Sequence, residues 1–325
     1  MTLSMAMFVE VASYFSWIAT AFAIITNSVL FYLFSKATTP SFGNYTTLLT
    51  ANSINLIVFS FLHSFVQPII SIEQKVVYVF AAKNYLQLPV MAMRLLLSAY
   101  GVTYCMSLVL CSLTFVFRFN KVCNQERKLF DTRSQMCLWF SLVALIGLFW
   151  GFCIFYLAVA TPYVDAIIEK PLRDFYDVNL EEVTYVAAVY TIMDPTTGSP
   201  SVNWQLVAMS GSFLLIIGGT MVTTGYCVYQ IARKTDEFKE TTIYDPIQKQ
   251  LFYAQLVQMA IPFAFVFIPI AIVLICPIFE FNGNVAFSLS SIFVSIFPIV
   301  DPIAMMLLIS SYRQELFSCC CNHKY

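Results

Sequence analysis

The spacing of charges decides what this chain can fold into. No Asp, Glu, Lys or Arg occurs between Glu10 and Lys36, Arg94 and Arg118, Arg133 and Asp165, Asp194 and Arg233, or Lys249 and Glu280. A helix crossing a bilayer core needs about 20 apolar residues, and in lipid each backbone amide must be satisfied within its own segment. Seven stretches meet that need, at about 9–34, 45–70, 89–118, 136–160, 203–231, 251–276 and 284–309. The chain reads as an all-α membrane protein, a seven-transmembrane helix bundle forming one domain over 1–325, with a short tail at 310–325. No signal peptide is evident, and Val11 to Phe34 reads as a retained first span.

Composition narrows the function. The chain is 59% hydrophobic and only 11% charged, against about 25% charged in soluble domains. A net charge of −1 excludes the concentrated basic face that nucleic acid requires. Two histidines, His63 and His323, cannot assemble a zinc site, and no phosphate loop or nucleophile motif is present. Neither an enzyme nor a cofactor or metal is expected.

Orientation follows from Lys and Arg. One set of loops and the C-terminal tail hold Lys36, Arg118, Lys121, Arg127, Lys128, Arg133, Arg233, Lys234, Lys239, Lys249, Arg313 and Lys324, whereas the opposite set holds Lys75, Lys83, Arg94, Lys170 and Arg173. The positive-inside rule then places the N-terminus outside and the C-terminus in the cytosol. The sequon Asn44-Tyr45-Thr46 falls on the cytosolic side and is expected to stay unmodified. The long outer loop from about 160 to 201 is acidic. Within it, Val183 to Met193 followed by Asp194-Pro195-Thr196-Thr197-Gly198 predicts a short β-hairpin over the outer face. The ten cysteines do not form a disulfide framework, since none lies in that loop. Cys319, Cys320 and Cys321, just past the last span, are candidates for palmitoylation.

A few polar residues stand out against the apolar background. Asp301 lies in the seventh span between Pro298 and Pro302, and a carboxylate at membrane depth normally faces the interior and marks function. The sixth span contains Pro262 and Pro269, each of which removes a backbone hydrogen bond and bends a helix. Together these five residues are candidates for a hinge or switch. On the third span Arg94, Ser98 and Tyr104 share a face, as do Ser288 and Ser291 on the seventh, while His63 stands near the outer end of the second. They are candidate ligand contacts in an outer pocket of mostly apolar walls. Headgroup snorkelling by Arg94 and helix packing by the serines are the alternative readings.

Several segments resemble the Str superfamily of nematode serpentine chemoreceptors, which are seven-helix G-protein-coupled receptors. The likeness runs through Gln248-Lys249-Gln250-Leu251-Phe252 to Gln258, Pro262, Pro269 and Pro277. It includes Asp301-Pro302 with Ser311-Tyr312-Arg313, Gly43-Asn44-Tyr45, Gln67-Pro68 and Asn27. The chain departs from rhodopsin-like receptors in two motifs: the end of the third span reads Phe117-Arg118-Phe119-Asn120, and Asp301-Pro302-Ile303-Ala304-Met305 lacks the Asn and the Tyr of Asn-Pro-x-x-Tyr. The resemblance implies a chemosensory receptor whose partners are a small-molecule odorant, the lipid bilayer and a heterotrimeric G protein contacted by Arg118. It also implies the plasma membrane of sensory neuron cilia. A ligand-gated cation channel of inverted topology and a seven-helix transporter stay open as alternatives.

Overall fold

A computed structural model describes residues 5–36, 43–81, 87–123, 128–193, 199–238, 246–279 and 288–321. Helix α1 (Met5–Lys36) and α2 (Gly43–Val66) lead into strands β1 (Pro68–Glu73) and β2 (Val76–Ala81). Helices α3 (Val90–Cys123), α4 (Arg133–Tyr156) and α5 (Pro162–Tyr176) follow, then strands β3 (Thr184–Val189), β4 (Thr191–Met193) and β5 (Pro200–Val202). Helix α6 (Trp204–Phe238) precedes α7 (Pro246–Pro262), which runs through a π-helical turn, Phe263–Phe267, into α8 (Ile268–Ile275). The chain ends in α9 (Ser290–Leu308) and α10 (Ser310–Cys321).

Six of these helices, α1, α2, α3, α4, α6 and α9, are each long and apolar enough to cross a membrane. The remaining apolar segment is the broken run from α7 to α8. Its break has a cause: neither Pro262 nor Pro269 carries an N–H, and the Ile268 N–H reaches five residues back to the Phe263 carbonyl. Proline bends expected from the sequence are thus realised here as a π-turn.

Helix α3 is the axis of the bundle, packing on α2, α4 and α6, while α9 packs on α1 and α7. The α3–α4 contact depends on glycine. A Cβ at Gly151 would stand 2.3 Å from Val102 Cγ2 and 3.2 Å from the Ser98 carbonyl, and one at Gly147 2.7 Å from Met106 Cγ. Small residues let helix backbones approach, which matters in lipid because no hydrophobic force pushes helices together. In α9, Pro302 deprives the Pro298 carbonyl of its helical donor. The Asn27 amide of α1 takes that place, Nδ2 donating across 2.9 Å.

One end of the bundle carries a lid. Strands β1, β2 and β3 form an antiparallel sheet, with Glu73 opposite Val76 across a two-residue turn whose Gln74 has φ 51°. Helix α5 starts on the Thr161 cap and Pro162, buries Val164, Ile168, Leu172 and Tyr176, and ends on a left-handed Asp177. The Tyr176 hydroxyl lies 3.2 Å from Ser71 Oγ and 2.8 Å from Ser288 Oγ, so the lid helix is tied both to the sheet and to the approach of α9. The Tyr185 hydroxyl donates to Asp165 Oδ1 at 2.5 Å. Burial, reinforced by that carboxylate, holds the Tyr185 phenol above its ordinary value and keeps the donor in place.

Three differences from the sequence reading have physical reasons. The expected second span ran to residue 70, but the helix ends at Val66; Gln67 turns the chain at φ 48° and β1 begins. Both β1 and β2 are largely buried on both faces, so they show no alternation that would separate them from a buried helical segment. In the outer loop β3 pairs with β2, and the predicted hairpin forms instead between β4 and β5, flanking 194–198, which lie outside the described residues. The expected tail contains the helix α10. The side chains of Cys319, Cys320 and Cys321 lie outside the described residues.

Candidate ligand cavity and its couplings

A cavity of about 100 Å³ lies beneath the lid, between the sheet and the bundle. Ile70, Val79 and Val186 roof it from the three strands. Leu97, Tyr100 and Tyr104 of α3, with Trp150 of α4, form one wall. Val266 of the π-turn, Pro269 and Val273 of α8, and Ser291 and Val294 of α9 form the other. The wall is overwhelmingly apolar and its aromatic rings are packed: Trp150 stacks on Phe213 at 3.8 Å between centroids, and Tyr104 meets Phe267 edge-on at 5.6 Å.

Hydroxyl groups tie this wall to the elements around it. Tyr104 donates to the Val266 carbonyl at 2.8 Å, linking α3 to the π-turn. Ser291 donates to the Pro68 carbonyl at 2.7 Å, linking α9 to the first residue of β1. Ser295 donates to the Ser291 carbonyl at 2.9 Å and therefore accepts from His63 Nε2 at 2.8 Å. That tautomer leaves His63 Nδ1 to accept from the Tyr100 hydroxyl at 3.3 Å. A second space of about 20 Å³ opens behind this chain, bounded by His63, Gln67, Ser13, Ser16, Ser291 and Ser295. The Oε1 atom of Gln67 is buried there with no hydrogen-bond partner among the described residues, while its Nε2 donates to Ser13 Oγ at 2.9 Å. The two spaces share Pro68 and Ser291.

The candidate ligand contacts separate into three groups. Tyr104 and Ser291 line the main cavity. His63 reaches it through Tyr100 and Ser291, and Ser288 sits under the lid helix against Tyr176. Arg94 and Ser98 face elsewhere. The Arg94 guanidinium lies over the Phe155 ring at 4.9 Å and donates to the Phe155 carbonyl, while Ser98 Oγ donates to the Arg94 carbonyl at 3.0 Å. This pair fastens α3 to the end of α4. Sequence reading does not single out Tyr100, Trp150 or Val266. Tyr100 stands one turn before Tyr104 on the same face, which is the signal that could have found it.

Deeper in the bundle, Asp301 is 6% exposed and accepts hydrogen bonds from Asn52, Nδ2 to Oδ2 at 3.3 Å, and from Gln258. Ser107, Thr114 and Pro262 border the same small space of about 20 Å³. Asp301 therefore joins α9, α2 and α7 through amide groups, immediately beside Pro262. Asn52 escapes sequence reading, although an amide in a charge-free span is the kind of residue that demands a partner. One turn nearer the lid, Asn55 donates to Ser107 Oγ at 2.8 Å and to the Thr103 carbonyl. At the end of α3 away from the lid, the Arg118 guanidinium is buried and lies over the Phe252 ring of α7 at 5.6 Å. The helix that carries the cavity wall thus also reaches α7 at its far end.

Long apolar helices packed around a lidded apolar cavity define a multi-pass helical membrane protein. The family model for the serpentine type 7TM GPCR chemoreceptor Str matches residues 12–317. The chain belongs to that family, which is a receptor family and not an enzyme family. It is 23% identical over 286 residues to serpentine receptor class r-10 of Caenorhabditis elegans, covering 87% of this chain and 83% of the relative. It is 25% identical over 305 residues to serpentine receptor class r-10 of Caenorhabditis briggsae, covering 92% and 87%. G-protein coupled receptor str-33 of Caenorhabditis elegans is 22% identical over 300 residues, covering 90% and 86%. Neither the channel nor the transporter alternative is favoured by this membership.

Proposed function

We propose that the chain is a chemosensory receptor that binds a small apolar molecule in the cavity beneath the lid and activates a heterotrimeric G protein at the opposite end. The lid faces outward, the N-terminus is outside and the C-terminus cytosolic, as the distribution of Lys and Arg suggests. The setting is the plasma membrane of a chemosensory cell, in its cilia if it serves as such receptors do. Acylation of Cys319, Cys320 or Cys321 would anchor the tail to the inner leaflet.

The observation that carries this reading is shared lining: Val266 and Pro269 are at once cavity wall and part of the break between α7 and α8. A ligand touching them contacts the hinge directly. By binding one packing of α7 and α8 better than the other it shifts their populations, and going from 1:99 to 99:1 takes about 5.5 kcal/mol of differential affinity. Swinging α7 would separate Phe252 from Arg118 and open the far end to the G protein. Size limits the ligand. An apolar cavity of ~150 Å³ holds benzene, so about 100 Å³ suits a molecule of roughly four non-hydrogen atoms.

The test is nucleotide exchange by a purified G protein with reconstituted receptor, across a panel of solutes of about two to eight non-hydrogen atoms spanning that limit. At least one should stimulate exchange, and Val294→Trp, which fills the cavity, should abolish the response while the receptor stays folded. Stimulation that survives Val294→Trp would refute the site.

A further inference from the structure

A larger cavity lies on the other side of α8. It measures about 330 Å³ and is bounded by the β1–β2 turn, the hairpin strands β4 and β5, α6 and the end of α8. Its floor is apolar, formed by Leu214 of α6 and Leu274 of α8, and Gly211 leaves room in it: a Cβ there would meet nothing within 4 Å. Polar groups collect at the lid end, where Tyr190, Ser210 and Lys75 line the space. Its mouth is open, since Ile278 and Val202 on its rim are 66% and 49% exposed. Among the described residues that line it, Lys75 is the charged one.

We propose that this cavity binds an amphiphile with an anionic head and a hydrocarbon chain. The head would sit against Lys75 with the Ser210 hydroxyl, and the chain would lie along Leu214 and Leu274 in the space beside Gly211. Charge and layout both select this class: a cation and a hydroxyl at one end of an apolar trough match a carboxylate or phosphate joined to an alkyl chain. The volume is about twice that of a ~150 Å³ cavity that holds benzene, so about a dozen carbon atoms fit. A fatty acid and an anionic membrane lipid share this chemistry. The wall they would touch is also the wall of the first cavity, because Leu274 faces this space while its neighbour Val273 lines the other. The Tyr190 hydroxyl holds that wall by donating to the Leu274 carbonyl at 2.8 Å.

Binding of radiolabelled dodecanoate to the full receptor in phosphatidylcholine nanodiscs tests this without any G-protein readout. Saturable binding is expected, with dodecanol about tenfold weaker or worse for want of the charge. Gly211→Phe should abolish binding by filling the trough, and Lys75→Gln, in a half-buried turn, should weaken it about tenfold. Competition by phosphatidylglycerol in the nanodisc would identify membrane lipid as a source of the ligand, and lack of competition would point to free acid. Dodecanol binding as tightly as dodecanoate would overturn the proposal. So would binding unchanged by both substitutions, or no saturable binding at all.

Discussion

The hydroxyl of Tyr104 on α3 donates to the carbonyl of Val266 in the π-turn at 2.8 Å, and both residues line the cavity beneath the lid. That bond joins the central helix of the bundle to the point where its most irregular helix changes direction. A ligand entering the cavity meets both partners at once, so this contact is where occupancy and hinge geometry are coupled in the proposed mechanism.

Removing it is informative. A neutral buried hydrogen bond contributes about 0.5–1.5 kcal/mol, and a carbonyl left unsatisfied costs about 1–3 kcal/mol. Tyr104→Phe keeps the ring packing and loses only the bond. Ligand-free nucleotide exchange should rise about tenfold, as expected when roughly 1.4 kcal/mol is withdrawn from the resting packing. Exchange at the unsubstituted rate, in a folded protein, would mean the bond does not hold the resting state.

Asn27 substitutes for a donor that Pro302 lacks, by bonding the Pro298 carbonyl. Asn27→Leu should destabilise the receptor by about 1–3 kcal/mol, read as a lower midpoint of thermal unfolding in detergent. Pro302→Ala restores an N–H to the helix at the position that serves Pro298. The double variant should therefore lose less stability than the sum of the two single changes, a coupling that a thermodynamic cycle measures directly. Strict additivity would show that the two residues do not serve one carbonyl.

Gly151 lies where α4 comes close to the backbone of α3. Its added Cβ would meet the Ser98 carbonyl at 3.2 Å, and backbone cannot step aside as a side chain can. Gly151→Leu should cost at least the ~1–3 kcal/mol of an overpacked core, with loss of correctly folded receptor. Gly211→Leu, where open space surrounds the Cβ position, should be tolerated. Equal yields from both variants would contradict the packing described for α3 and α4.

Arg118 and Phe252 connect α3 to α7 at the end remote from the lid, 5.6 Å from guanidinium to ring centre. A cation over an aromatic face contributes about 0.5–2 kcal/mol. Phe252→Leu should raise ligand-free exchange several-fold by releasing α7. Arg118→Ala should abolish ligand-driven exchange, because the same guanidinium is assigned to the G protein. Exchange that persists in Arg118→Ala would remove that assignment.

The helices are legible in the sequence because lipid imposes one rule on every span: long, uncharged and internally hydrogen bonded. The lid is not, because Pro68–Glu73 and Val76–Ala81 are buried on both faces and carry no period of two. Helix α5 is likewise hidden in a loop whose charges dominate a one-dimensional reading, although its buried Val164, Ile168 and Leu172 recur every four residues. For the site, the sequence points to polar residues and the geometry to apolar ones. Arg94 is conspicuous for its charge, yet it spends that charge on Phe155. Trp150 and Val266 are inconspicuous and form the wall. Asp301 and Pro302 are conspicuous for reasons the fold makes concrete: Asn52 and Gln258 donate to the carboxylate, and Asn27 supplies the donor that Pro302 lacks.

The most direct test of the central claim is an experimental structure of the receptor with the most potent solute from the panel. The account predicts ligand density beneath the three-stranded sheet, in contact with Tyr104, Trp150 and Val266, and a changed path of the chain between Pro262 and Pro269. Density outside that cavity, or a ligand within it and an unaltered π-turn in the G-protein-bound state, would contradict it.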